Sequence, residues 1–232
     1  MPTKVNYAQQ ESKLYSDTPQ KILEAYCKDV PVIAILRGVL PEEVVSVADV
    51  ILSAGIRVIE VPTNSPDAFV SIKNLVDHYG DQLLIGAGTV VELGQVESLK
   101  QAGGRLFVSP NTDPELISSA ASHNMIVLPG VATPSDAFLA IKAGATAIKL
   151  FPASTYGSGH VKALNAVLPK HIGIYAVGGV GATNFSEWKQ AGISGIGVGS
   201  QLFKPSMTLQ EIKSRATTLV TAINNYYSNN NI

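Results

Sequence analysis

The sequence predicts a (β/α)8 TIM barrel carrying an N-terminal helical extension. From residue 31 onward a short apolar run, a loop with Gly or Pro and an amphipathic stretch follow one another eight times. Ala-Gly closes the amphipathic stretch at 54–55, 102–103, 143–144 and 191–192, each time just before the next apolar run. Glycine past a last helical turn accommodates the left-handed cap. A composition of 46% hydrophobic and 15% charged residues supplies a sizeable core. Eight βα units in roughly 200 residues sit near the small end of the size range for such barrels.

In chain order, the predicted strands are Val32–Leu36, Val58–Val61, Leu83–Ile85, Leu106–Val108, Ile126–Leu128, Ala147–Leu150, Ile174–Val177 and Gly195–Val198. Helices are expected near 41–53, 66–79, 92–102, 113–123, 134–143, 160–168, 183–190 and 208–226. Pro41-Glu-Glu, Asp113-Pro-Glu and Thr133-Pro-Ser-Asp each place a proline and acids in a first helical turn. Residues 31–232 therefore form the barrel domain, and residues 1–30 an extension with a helix around Thr18–Lys28. That helix would plug the barrel's N-terminal mouth, and a second reading leaves the first fifteen residues disordered. An open doubly wound sheet is the competing architecture, but no nucleotide-binding fingerprint follows the first strand.

Bulk charge excludes several function classes. Net charge is −1 and the four arginines, Arg37, Arg57, Arg105 and Arg215, are scattered, so nucleic acid and anionic membranes are not expected partners. Cys27 stands alone, which excludes an internal disulfide and a cysteine zinc cage. No apolar run approaches the ~20 residues needed to span a bilayer, and the first thirty residues are polar and mixed. The expectation is a cytoplasmic protein without a leader.

Two charged residues break the apolar strands. Lys149 lies in Ala-Thr-Ala-Ile-Lys-Leu-Phe-Pro (145–152), where an ammonium is expensive to desolvate. Burial favours the neutral, nucleophilic amine, and the competing reading is a snorkelling lysine. Glu60 interrupts Val58-Ile59 and Val61-Pro62. It would either pair with Arg57 or cap a loop, or face Lys149 across the barrel mouth as an acid/base group.

Chemistry in this architecture gathers where strands run into βα loops. Gly178-Gly179 and Gly199-Ser200 follow the seventh and eighth strands, where barrels often hold phosphate on backbone N–H groups; ordinary tight turns are the alternative. Arg37 after the first strand suits a substrate carboxylate, or else a surface salt bridge. Gly86-Ala-Gly-Thr89 lacks the lysine of a P-loop and reads as a substrate-lining turn. Phe185 and Trp188 read as packing residues in a helix. His78, His123, His160 and His171 fall in helices or their flanks without ligand spacing, so no metal is expected; His160 alone could approach the rim.

Taken in order, Ile-Ala-Ile-Leu-Arg-Gly (33–38), Glu60-Val-Pro with Asn64-Ser-Pro, Ile-Gly-Ala-Gly-Thr (85–89), Ser-Pro-Asn (109–111), Pro-Gly-Val-Ala-Thr (129–133), Ile-Lys-Leu-Phe-Pro (148–152), Val-Gly-Gly-Val (177–180) and Gly-Ser (199–200) resemble the class I KDPG/KHG aldolase family across about residues 31–225. Within it the chain is most similar to the branch acting on 2-dehydro-3-deoxy-6-phosphogalactonate. Arg-Gly follows the first strand, Asn64 stands where phosphogluconate enzymes carry an arginine, and Val177 where they show threonine. Val177 lacks a hydroxyl for the substrate's C4 hydroxyl, which implies galactonate preference or relaxed specificity.

The resemblance implies Lys149 as Schiff-base lysine and Glu60 as general acid/base. It implies Gly178, Gly179 and Ser200 at the phosphate, joined by Gly199 from its place after the eighth strand, and Thr89, Pro110 and Phe151 around the pyruvyl group. Arg37 is the candidate to replace the missing arginine at position 64. The implied reaction is retro-aldol cleavage to pyruvate and D-glyceraldehyde 3-phosphate, with no cofactor, by a homotrimer. Cleavage of the gluconate epimer or of 4-hydroxy-2-oxoglutarate is the alternative within the family. A phosphosugar isomerase or epimerase, or a phosphosugar-binding barrel, is the alternative outside it.

Overall fold

The computed structural model describes residues 18–230. Helix α1 (Pro19–Cys27) precedes nine parallel strands: β1 (Val32–Ile35), β2 (Val58–Pro62), β3 (Leu84–Gly88), β4 (Leu106–Val108), β5 (Ile126–Leu128), β6 (Gly130–Val131), β7 (Ile148–Leu150), β8 (Ile174–Val177) and β9 (Gly195–Val198). Between and after them lie α2 (Val44–Ser53), α3 (Ala68–Tyr79), α4 (Leu93–Gln101), α5 (Pro114–Ser122), α6 (Pro134–Ala143), α7 (Ala153–Tyr156), α8 (Ser158–Val167), α9 (Phe185–Gln190) and α10 (Leu209–Asn229).

The strand order β5-β4-β3-β2-β1-β9-β8-β7-β6 wraps round on itself. Pro129 alone separates β5 from β6, so these are two segments of one barrel strand. Proline has no N–H and interrupts a ladder. Across this seam Val127 O accepts from Thr146 N at 2.9 Å, and Pro129 O from Lys149 N at 2.9 Å. Eight barrel strands result, the predicted sixth, seventh and eighth being β7, β8 and β9.

Helix starts follow the predicted chemistry. Asp113 Oδ1 accepts from Glu115 N at 3.0 Å, and Thr133 and Thr208 form capping boxes with Asp136 and Glu211. The start displaced most is that of α2, which begins at Val44 because Pro41 to Glu43 form a turn in which Glu43 Oε1 accepts from Leu40 N at 3.0 Å.

Strand residues alternate between two buried environments. Ile33, Val58, Leu84, Leu106, Val108, Ile126, Leu128, Ala147 and Tyr175 point inward and pack with Ile22, Leu23, Tyr26 and Cys27 of α1. The intervening residues, such as Val32, Ile59, Ile148 and Ile196, pack under the outer helices. Both faces are buried, so the strands read as unbroken apolar runs. Helix α1 fills the N-terminal mouth as predicted. The expectation for the first fifteen residues lies outside the described residues.

Candidate active site

Strand parity places the two charged residues. Glu60 is two residues beyond inward Val58, and Lys149 two beyond inward Ala147, so both point into the barrel above the apolar plug. They line a cavity of about 280 Å³ at the C-terminal rim. The same cavity is lined by Arg37, Thr89, Pro110, Phe151, Val177, Gly178, Gly179, Gly199 and Ser200, so all eleven candidate residues converge. Ile35, Val180, Gly197 and Gln201 complete the wall.

Both charged groups are removed from water: Glu60 is 2% exposed and Lys149 6%. Burial pushes the Glu60 carboxyl up to about 7, opposed by the positive charges of Lys149 and Arg37. Burial also lowers the Lys149 amine; Glu60 opposes that shift and Arg37 adds to it. Lys149 Nζ sits 4.7 Å from the centroid of the Phe151 ring. Glu60 Oε2 is buried with no hydrogen-bond partner among the described residues. Arg57 does not pair with Glu60. It donates through Nε and Nη2 to Gln82 O, both at 3.2 Å, and stacks over Tyr26.

Arg37 reaches the rim from the end of β1. Its Nη1 donates to Asn64 Oδ1, and its Nη2 to Thr89 Oγ1 at 3.2 Å. Among the described residues no carboxylate pairs with it. Thr89 itself has φ 56°, a left-handed conformation that β-branched residues rarely adopt. Thr63 Oγ1 donates to Thr89 O at 2.7 Å and helps to hold it there.

The segment 86–89 is corrected from a turn to a strand end, since Gly86 and Gly88 belong to β3 and only Thr89 leaves it. A Cβ at position 86 would lie 1.8 Å from Leu106 O, which accounts for one glycine by close strand approach. His160 does not join the cavity lining. Its Nε2 lies 2.7 Å from Ala132 O, and its ring packs against Tyr156. Phe185 and Trp188 are buried packing residues as predicted.

The far end of the cavity is built from main chain. Gly178 and Gly179 have φ 98° and 79°, which lets the backbone turn inward after β8. Among the described residues, the N–H groups of Gly179, Val180, Ser200 and Gln201 have no hydrogen-bond acceptor. No three His, Cys, Asp or Glu side chains among the described residues form a metal-binding group. No helix there is long and apolar enough to cross a membrane.

A closed parallel barrel with a buried amine, a buried carboxylate and free main-chain donors at its C-terminal rim defines a TIM-barrel enzyme. The chain belongs to the KDPG and KHG aldolase family, whose model matches residues 23–219. It is 44% identical over 193 residues to a 2-dehydro-3-deoxy-6-phosphogalactonate aldolase of Escherichia coli (strain K12), covering 83% of this chain and 94% of that one. It is 45% identical over 197 residues to a probable enzyme of the same name from Rhizobium meliloti (strain 1021), covering 85% and 93%. A solved structure described as native KDPGal superposes with a TM-score of 0.84 at 42% identity, covering 86% of this chain and 97% of that chain.

Proposed function

We propose that this enzyme is a class I aldolase that cleaves 2-dehydro-3-deoxy-6-phosphogalactonate to pyruvate and D-glyceraldehyde 3-phosphate. The observation that carries this reading is the burial of Lys149 and Glu60 in one cavity, with burial favouring the neutral form of each. A lowered amine pKa enlarges the neutral, nucleophilic fraction of Lys149, and a carboxyl near 7 exchanges protons at the working pH.

Lys149 Nζ attacks the C2 carbonyl, and loss of water leaves a protonated imine. The C4 hydroxyl gives its proton to Glu60, directly or through water, as the C3–C4 bond breaks. The bonding pair flows into the imine, releasing the aldehyde and leaving an enamine on Lys149. Protonation at C3, by Glu60, regenerates the imine, and water frees pyruvate and the amine. The imine serves as electron sink, so the scheme uses no metal or organic cofactor.

Arg37, fixed by Asn64 and Thr89, takes the substrate carboxylate. Thr89, Pro110 and Phe151 enclose the pyruvyl portion. Gly178, Gly179, Gly199 and Ser200 receive the phosphate, whose binding positions the reacting carbons. Val177 presents no hydroxyl toward C4, which supports the galacto epimer over the gluco epimer. The reading also takes the enzyme to be a cytoplasmic homotrimer, to be checked by cell fractionation and by light scattering.

Pyruvate and borohydride, followed by digestion and mass spectrometry, test the chemistry. A reduced adduct on Lys149, absent in Lys149→Ala, is expected. No adduct at saturating pyruvate would sink the imine mechanism. Cleavage assays on the two C4 epimers test the substrate, with the galacto epimer expected to have the higher kcat/KM.

A further inference from the structure

Main-chain N–H groups bind a phosphate only if their peptide planes face it. In a trans peptide the N–H points opposite to the carbonyl of the preceding residue, so fixing one fixes the other. Two side chains fix such carbonyls behind the cavity. Asn184 Nδ2 donates to Gly179 O at 2.9 Å. Arg215 Nη1 donates to Ser200 O at 3.2 Å and to Gln201 O at 3.3 Å.

Neither Asn184 nor Arg215 lines the cavity, whereas Val180 and Gln201 do. A Gly179 carbonyl held outward turns the Val180 N–H inward, and a Ser200 carbonyl held outward does the same for the Gln201 N–H. These are two of the four N–H groups without an acceptor among the described residues. Neighbouring donors are withdrawn instead. Asn184 Oδ1 accepts from Gly181 N at 2.9 Å, and Gly199 O accepts from Leu202 N and Phe203 N at 2.8 and 2.9 Å. The clamps have rigid bases, since Asn184 adjoins Phe185, 1% exposed, and Arg215 adjoins fully buried Ala216.

We propose that Asn184 and Arg215 are positioning residues that aim the Val180 and Gln201 N–H groups at the substrate's phosphate. This rests on the phosphate end assigned above, and it adds two donors and two supports to it.

The test compares kcat and KM for the phosphorylated keto-deoxy acid and its unphosphorylated counterpart. Asn184→Ala and Arg215→Ala should each lower kcat/KM for the phosphorylated substrate roughly tenfold, mainly through KM, because a misdirected donor loses a hydrogen bond to a charged group. The unphosphorylated substrate should change by less than about twofold, since it makes no such bond. Arg215→Lys, which keeps a donor, should recover part of the loss. Borohydride trapping of pyruvate on Lys149 reports that each variant is folded. Equal losses on both substrates, or none on either, would overturn the proposal. Wild-type enzyme that does not prefer the phosphorylated substrate would overturn the phosphate end itself, a failure visible before any substitution is made.

Discussion

Glu60 owes its environment to Gly88, two residues beyond its register partner Gly86 on β3. A Cβ at position 88 would lie 1.8 Å from Glu60 Oε2, so only glycine lets the carboxylate lie against that strand. The carboxylate is therefore buried with one oxygen unpartnered, and its folded pKa is raised from 4.5 to about 7. A raised carboxyl pKa means the native state holds its proton longer than the unfolded chain does. Stability contributed by this group is full below about 4.5 and is lost as pH rises to about 7. Glu60→Gln, which cannot ionise, should gain on wild type across that window by an amount on the order of 3 kcal/mol. Denaturant unfolding of both proteins at pH 4 and pH 8 measures it, and an unchanged difference would show that Glu60 is not held near neutrality. Glu60 and Lys149 were legible in the sequence because a charge inside an apolar strand costs too much to be there by default. Val180 and Gln201 were not, because they contribute main-chain N–H groups and every residue but proline has one. Asn184 and Arg215 were hidden for a related reason: their partners are carbonyls that only the folded chain brings near.

Secondary-structure elements were legible where their boundaries have local chemistry. Helices α5, α6 and α10 begin within a residue of their predicted starts, because Asp113, Thr133 and Thr208 cap them with their own side chains. The four-residue helix α7 escaped notice, being too short for an apolar periodicity to register. The break between β5 and β6 depends on Pro129, which was visible, but its effect on pairing emerges only with both neighbouring strands in place. Helix α1 was visible as a helix, and its position follows from apolar bookkeeping: the inward face of a barrel needs a cover at the mouth opposite the site. Leu23, 2% exposed, packs into that inner cluster. Leu23→Ala should destabilise the protein by about 3 kcal/mol, the usual cost of a buried Leu truncation that leaves a cavity. Turnover of the folded fraction at low temperature should persist, because the rim lies at the other end of the strands. Unfolding by heat or urea measures the loss. A variant as stable as wild type would mean that α1 rests on the barrel without holding it closed.

The assembled molecule has features that the barrel alone does not use. A βα barrel buries apolar side chains inside the strands and beneath the helices, and the outer helix faces are ordinarily polar. On α6, however, Phe138 is 47% exposed and Leu139 46%, beside the fully buried Ala137 and Ala140. Two adjacent large apolar side chains on one short helix are costly in water and mark a surface suited to association. A second copy of the same chain is the occupant that the proposed homotrimer supplies, and a three-fold ring closes through a head-to-tail contact repeated three times. Replacing both residues, Phe138→Asp with Leu139→Lys, removes the apolar contact and adds charges that a buried interface does not tolerate. Neither side chain lines the cavity, so the variant should keep its Lys149 adduct with pyruvate while its mass in light scattering falls from three chains to one. A variant that remains trimeric would place the contact on another face, and a wild-type protein that runs as a monomer would remove the trimer altogether.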